Sequence, residues 1–442
     1  MLHNQTTRNT QPLKSGPSRG CPVHTARFVA VLGLLVCLAC LAAPLGTPAI
    51  PSFALAPAQS NSRQMRIFEQ IWKTVNDTYI YPDFHGLDWK GKKAELEAKI
   101  TASMSDLEFY FRLRKLIESL NDHHSVFLPP YVAEELFQVY FNNGQYEGVG
   151  LVTALNRQKH YVYVLQVVPG SSAEKAGIQQ HDHILTIGGF PAVDHDGYSQ
   201  SFLLLGPAGS DVAVTVQTPS GAQRSFGLKR EKLPDVQLVD GRMLPNTGAK
   251  KIGYLLIPTF FSPDIDKRTK TALAALMTEA GGKLDGLIVD VRINSGGAIV
   301  TMNNVLNLFA RGTLGRFTSR KGPRGGLIAK GEAVGNSLSV PMVILIGPDT
   351  VSAGELFAGA LQNAGRAKLV GQTSAGIIEI LKPYTYEDGS VMLLAEQFFL
   401  LPNGTNWEGK GLKPVLQTPG AWDEITVAQD PAISTALGLL SK

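Results

Sequence analysis

Beyond residue 40 the sequence contains no cysteine; its three, Cys21, Cys37 and Cys40, all lie near the amino terminus. A body without thiols excludes disulfide staples, cysteine-ligated metals and a cysteine nucleophile. The first 56 residues also lack Asp and Glu, yet hold Arg8, Lys14, Arg19 and Arg27. The formal charge of +4 therefore belongs to this leader, and the remainder balances 37 acidic residues against 37 basic ones. A balanced body offers no electrostatic footprint for nucleic acid or for an anionic membrane surface. The apolar run Phe28–Ala43 has 16 residues, short for a spanning helix and right for the core of a signal peptide. Ala54-Leu55-Ala56 fits a small-residue cleavage site. Residues 1–56 are thus expected to be a signal peptide or a retained N-terminal anchor. The mature chain would be extracytoplasmic: periplasmic, secreted or membrane-anchored. A lipoprotein reading at Cys40 is weakened by Cys37, which stands where an aliphatic residue is wanted.

The 442 residues suffice for two or three domains. Residues 57–135 read as a mostly helical region, with Leu113, Leu116, Ile117 and Leu120 at three-to-four spacing. "NDHHSVFLPP" follows, and Pro129-Pro130 closes the unit. Residues 136–235 carry short β-rich runs between glycine turns and read as a small β domain. From 236 to 430 strands and helices alternate, which predicts a mainly parallel sheet with covering helices. "RKGPRGGLIAKG" reads there as a surface loop. Ligands of such sheets sit beyond the carboxyl ends of the strands.

Two turns fall at such ends. Met342-Val343-Ile344-Leu345-Ile346 reads as a buried strand. Beyond it, Ala353, Leu356, Phe357, Ala360, Leu361 and Ala364 repeat at helical spacing. Ser352 stands at the junction, placed either to cap the helix or to attack a substrate. A serine nucleophile needs a base, a group to orient the base, and oxyanion donors. "RINSGGA" is the second turn; Gly296 and Gly297 leave backbone amides open to approach. The Ala353 amide at the helix start is the other natural donor. Taken alone, Gly296-Gly297 also fits a simple tight turn.

"DVRINSGG" together with "TVSAGELFAGALQNAGRAKLVGQTSAG" resembles the core of the S41 serine peptidases, which include the carboxy-terminal processing, or tail-specific, proteases. "GVGL" and "VVPGSSAEKAGIQQHDHILTIGGFPA" are similar to a PDZ domain. The likeness covers about residues 65–420. It implies a multidomain α+β protein: an N-terminal helical segment, a PDZ-like β domain, and an α/β catalytic core of the ClpP/crotonase-like type. In the processing proteases a lysine follows the serine by about 25 residues, but Ile377 holds that place here. No Ser-Lys dyad can form at that position. The tricorn-like branch, with a histidine base, is the better match. "LNDHHSVFLPP" resembles its histidine motif, which puts His124 forward as base, with the adjacent His123 as rival. The resemblance implies Glu408 as the carboxylate supporting His124, directly or through a hydroxyl from Ser374 or Ser125. Ser352 would be the nucleophile, with the amides of Gly296 and Ala353 as the oxyanion hole. Glu355, three residues past the serine, reads as a first-turn helix carboxylate. Gly148, Val149, Gly150 and Leu151 match the PDZ loop that holds a peptide's terminal carboxylate.

The expected partner is a polypeptide substrate, captured through its C-terminus, with no nucleic acid and membrane contact only through an N-terminal anchor. No cofactor and no metal are expected; His181-Asp182-His183 lacks a further ligand nearby. Two other readings stay open. Loss of the lysine fits a silent scaffold that only binds peptide tails. A crotonase-like enzyme would use similar strand-turn-helix units, but it needs a coenzyme A pocket.

Overall fold

The computed structural model describes residues 57–441, apart from 102, 123, 135–145, 157–158, 196, 198, 234–238, 246–247 and 426–428. The leader with its cysteines, and the rival base His123, lie outside the described residues.

The part of the chain from residue 240 on is built around a six-stranded sheet. In spatial order its strands are Asp240–Met243, Ile252–Leu256, Gly286–Asp290, Met342–Ile346, Ala367–Gly371 and Leu416–Gln417. All neighbours run parallel except the first pair. Ile252–Leu256, Gly286–Asp290 and Met342–Ile346 are buried at every residue, as expected when both faces are covered. Helices Ile265–Glu279, Ile299–Leu306 and Ala353–Asn363 cover one face, where Leu273, Met302 and Leu356 join Leu287, Val289, Ile344 and Ile346. The other face gathers Ile288, Val343 and Leu345 with Ala432, Ala436 and Leu440 of the helix Pro431–Leu440. Alternate residues of one strand thus feed two cores.

A second sheet joins the first and last thirds of the chain. Val126–Leu128 pairs with Val391–Leu400, Val126 opposite Leu393. Ile380–Thr385 also pairs with Val391–Leu400. The helices Pro57–Thr78, Trp89–Glu97 and Asp106–Glu118 lie against it, sharing one apolar cluster with Met392, Leu393 and Leu394. The strand at Val126 interrupts a region that reads as helical, because its three residues are too few to show a period of two.

"RKGPRGGLIAKG" is not a loop. Gly312–Ser319 and Gly322–Ala329 form an antiparallel hairpin whose first strand pairs with Val391–Leu400. Most of its second strand faces solvent, so no apolar alternation marks it. Gly315 is required there: a Cβ would lie 2.3 Å from the Phe399 ring.

The PDZ-like unit is an antiparallel sheet in the order Leu151–Asn156, Tyr161–Val167, His183–Ile187, Asp211–Gln217, Gln223–Lys229, with Phe190–Pro191 added to the third. Leu151–Asn156 is an edge strand. The unit docks on the core through Tyr163 and Leu165, which join the cluster around Val343. Tyr161 and Asn156 donate to Asp423, at 2.5 and 2.8 Å. Tyr163 donates to Asp349, three residues before Ser352. Burial pushes the Asp349 carboxyl up to about 6. His181-Asp182-His183 serves this docking: His181 Nδ1 lies 2.5 Å from the Ile425 carbonyl and His183 Nε2 3.3 Å from that of Asp423. Asp182 is held by Arg224 at 2.6 Å.

Candidate active site

Ser352 sits one residue ahead of the helix Ala353–Asn363 with φ 52° and ψ −120°. An L-residue held there stores roughly 1–3 kcal/mol of strain. Nucleophile elbows use such a strained strand-to-helix turn to lift the serine clear of the sheet. The turn is tied on every side. Val351 donates to Asn294 O at 2.9 Å, and the Thr350 hydroxyl to Val291 O at 2.8 Å. Ser352 N–H reaches Ile377 O at 2.9 Å and Glu355 Oε2 at 3.3 Å. Ile377 thus offers Ser352 its backbone carbonyl.

The glycine turn lies against the serine. A Cβ on Gly296 would come within 2.8 Å of Ser352 Cβ and 3.2 Å of the Ala353 amide nitrogen. Gly296 and Ala353 are thus brought together at Ser352. The Gly296 N–H donates to Asn294 Oδ1 at 3.0 Å, so an oxyanion there would compete with that acceptor. At the end of the strand Gly286–Asp290, Arg292 binds Asp290 at 2.6 Å and Asp430 at 2.7 Å.

Glu355 is fully buried and does more than favour a helix dipole. It accepts from the Ser374 hydroxyl, from Gly376 N–H at 2.8 Å and from Ile377 N–H at 2.9 Å, besides Ser352. Burial raises its pKa, and these donors oppose the rise. The carboxylate staples the segment Ser374–Ile377 to the elbow.

His124 follows a turn in which Asp122 accepts from the amides of His124 and Ser125, at 3.0 and 2.8 Å. Its imidazole is wholly buried. Nδ1 lies 3.3 Å from Glu379 Oε2, and Tyr81 holds the other oxygen of Glu379. Among the described residues neither imidazole nitrogen has a hydrogen-bond partner, so Ser352 and His124 are not bonded to each other in this state. They meet through one short segment: Ile377 contacts Ser352, and Glu379 contacts His124. The two strands behind His124 and Glu379 flank Val391–Leu400 on opposite sides, which sets their spacing.

Glu408 accepts from Ile378 N–H at 2.6 Å and Glu379 N–H at 3.1 Å. Its charge acts on His124 through space, with no hydrogen bond between them. Burial, followed by repulsion from Glu379, pushes the Glu408 carboxyl up to about 8. Burial, followed by Asp122, pushes Glu379 up to about 8 as well. Burial lowers the His124 pKa, against the pull of Glu408, Asp122 and Glu355. The hydroxyl relay expected at Ser374 or Ser125 is not where their hydrogen bonds go. Ser374 serves Glu355 and receives Leu412 N–H at 2.7 Å. Ser125 serves Asp122 and receives Ala395 N–H at 3.0 Å. Each hydroxyl has one proton, and each is spent elsewhere. Glu379, Tyr81 and Asp122 escape a sequence reading. The available signal for Glu379 is a lone acid between isoleucines in "GIIEI".

In the PDZ-like unit, Gly148 ends a short strand and Leu151 begins the edge strand. Between them, Val149 O accepts the Ala173 amide at 3.1 Å, and Gly150 lies against Ser171.

Peptidase family S41 matches residues 251–418, the tricorn protease C1 domain matches 62–117, and the PDZ domain matches 138–217. The chain thus carries a peptidase family S41 domain and a PDZ domain, its relatives are C-terminal processing proteases, and together these support a serine peptidase. It is similar to a chloroplastic C-terminal processing peptidase of Tetradesmus obliquus, 29% identical over 377 residues, spanning 82% of this chain and 79% of that one. A carboxyl-terminal-processing protease of Synechocystis sp. is 26% identical over 385 residues, covering 86% and 87%. Among solved structures, a photosystem II D1 C-terminal processing protease superposes with a TM-score of 0.62 at 26% identity, over 86% of this chain and 98% of that one.

Proposed function

We propose that this is an exported serine endopeptidase working through a Ser-His pair. Ser352 Oγ attacks the scissile carbonyl carbon while His124 Nε2 takes its proton, then returns that proton to the leaving amine. The amides of Gly296 and Ala353 hold the oxyanion, Gly296 exchanging Asn294 for the developing charge. Glu408 supports the imidazolium electrostatically. Water then hydrolyses the acyl-enzyme. The observation that carries this reading is one segment: Ile377 replaces the lysine and binds the strained Ser352, while two residues on the chain meets the buried imidazole of His124.

The PDZ-like unit captures substrate C-termini. Among the described residues its edge strand Leu151–Asn156 has a free side to which an extended peptide can add, and the Gly148–Leu151 loop adjoins it to receive the carboxylate. Export rests on the basic, then apolar, leader. Among the described residues no helix is long and apolar enough to cross a membrane. The second reading, a silent peptide-binding scaffold, is favoured by the absent hydrogen bond between Ser352 and His124. Catalytic hydrogen bonds often close only around substrate.

Fluorophosphonate labelling of the wild type, Ser352→Ala and His124→Ala decides between them, run with and without a peptide bearing a free C-terminus. We expect label only on the wild type, with hydrolysis falling roughly 10⁵–10⁶-fold in either variant. Wild type that stays unlabelled even with peptide present supports the scaffold.

A further inference from the structure

We propose that Glu379 is the positioning residue of the base: its Oε2 accepts the Nδ1 proton of His124 and so fixes the tautomer that leaves Nε2 free for Ser352. The inference rests on the Ser-His reading above and assigns a part that the sequence leaves to Glu408.

Three observations carry it. Glu379 Oε2 and His124 Nδ1 are both buried, lie 3.3 Å apart, and have no hydrogen-bond partner elsewhere among the described residues. A buried polar atom without a partner is costly, so two that face each other form an unclosed pair. Next, the other parts of Glu379 are already fixed. Tyr81 holds Oε1, and Glu408 holds the backbone N–H. The carboxylate is aimed by its neighbours, which is what orientation of an imidazole requires. Finally, Glu408 Oε2 takes two backbone amides, one of them that of Glu379, and Glu408 makes no hydrogen bond to His124, so it stands as the support of Glu379.

The proton count follows. With one proton on Nδ1 and Glu379 ionised, Nε2 has its lone pair and the site is active. A second proton on either group blocks it. The groups facing this pair are Asp122 on the turn before His124, Glu355 and Glu408 on the core, and Tyr79 and Tyr81 after the first helix. Burial, with repulsion from Asp122 on Glu379 and from Glu379 on Glu408, pushes both carboxyls up to about 8, so these carboxyls, not the imidazole, should set the acid limb of activity. Labelling should rise with pH up to about 8 in the wild type. In Glu379→Gln the limb should move to lower pH, because repulsion on Glu408 is relieved.

The test compares the wild type, Glu379→Gln, Glu379→Asp, Tyr81→Phe and His124→Ala. For each, kcat and KM on a peptide, the pH profile of labelling, and the urea midpoint are measured. We expect Glu379→Gln to lose about 10²–10⁴ in kcat with KM little changed, as when a triad carboxylate is neutralised. Glu379→Asp should recover part of the loss, which a purely structural role would not predict. Glu379→Gln within about threefold of wild type in kcat, with the acid limb unmoved and His124→Ala inactive, overturns this proposal and leaves the Ser-His reading standing. Full labelling of His124→Ala removes both. If Glu379→Gln does not fold, Tyr81→Phe decides: a lower kcat with a shifted acid limb supports the assignment, and an unchanged profile overturns it.

Discussion

Glu355 and Glu379 are buried glutamates at the two ends of the segment Ser374–Glu379, yet donors are divided unevenly between them. Glu355 collects three backbone amides and the Ser374 hydroxyl. Glu379 has one tyrosine hydroxyl on one oxygen and an unclosed approach to His124 on the other. Saturation makes a carboxylate part of the frame, since removing it orphans every donor at once. An unfilled oxygen beside an imidazole keeps the capacity to take a proton. The elbow region is therefore built to hold still, and the histidine region to change charge.

Glu355→Ala should produce the largest stability loss, about 3–5 kcal/mol, because it strands several buried donors. Glu379→Gln should be close to neutral in stability, since it removes a buried carboxyl with few partners. Urea unfolding of both variants checks this. Equal losses would break the contrast between frame and proton site.

The pH dependence of stability sharpens the same contrast at a smaller scale. Glu379 and Glu408 have folded pKa values raised above the ordinary 4.5, so the folded state holds protons that the unfolded state has released. Their contribution is present at low pH and is lost as pH rises from about 4.5 to about 8, at about 1.4 kcal/mol per pH unit for each retained proton. Unfolding at several pH values should show a weaker decline in Glu379→Gln than in wild type. An identical slope would mean that Glu379 does not titrate in this range. The smallest expected effect is Ser374→Ala. It removes one donor to Glu355 and one acceptor for Leu412, and should cost about 1–2 kcal/mol with kcat nearly retained.

Local pattern made part of this legible. The strand Met342–Ile346, the helix from Ala353 and the edge strand at Leu151 fall where apolar runs and glycine turns put them. The hairpin Gly312–Ala329 was hidden because its outward face and its glycines erase the alternation. The contacts of Glu379, Ser125 and Ser374 depend on partners far along the chain, which no local period encodes. Sequence likeness can name Glu408, but only packing shows that its oxygen is occupied by the amides of residues 378 and 379.

The strand Val391–Leu400 carries a consequence for biosynthesis. It is the shared neighbour of the strands that follow His124 and Glu379, and it emerges late from the ribosome. A nascent chain that has completed the elbow at Ser352 still has no edge on which to seat the histidine. On the Ser-His reading, the enzyme would stay chemically inert through most of its synthesis, its onset timed by the arrival of one strand.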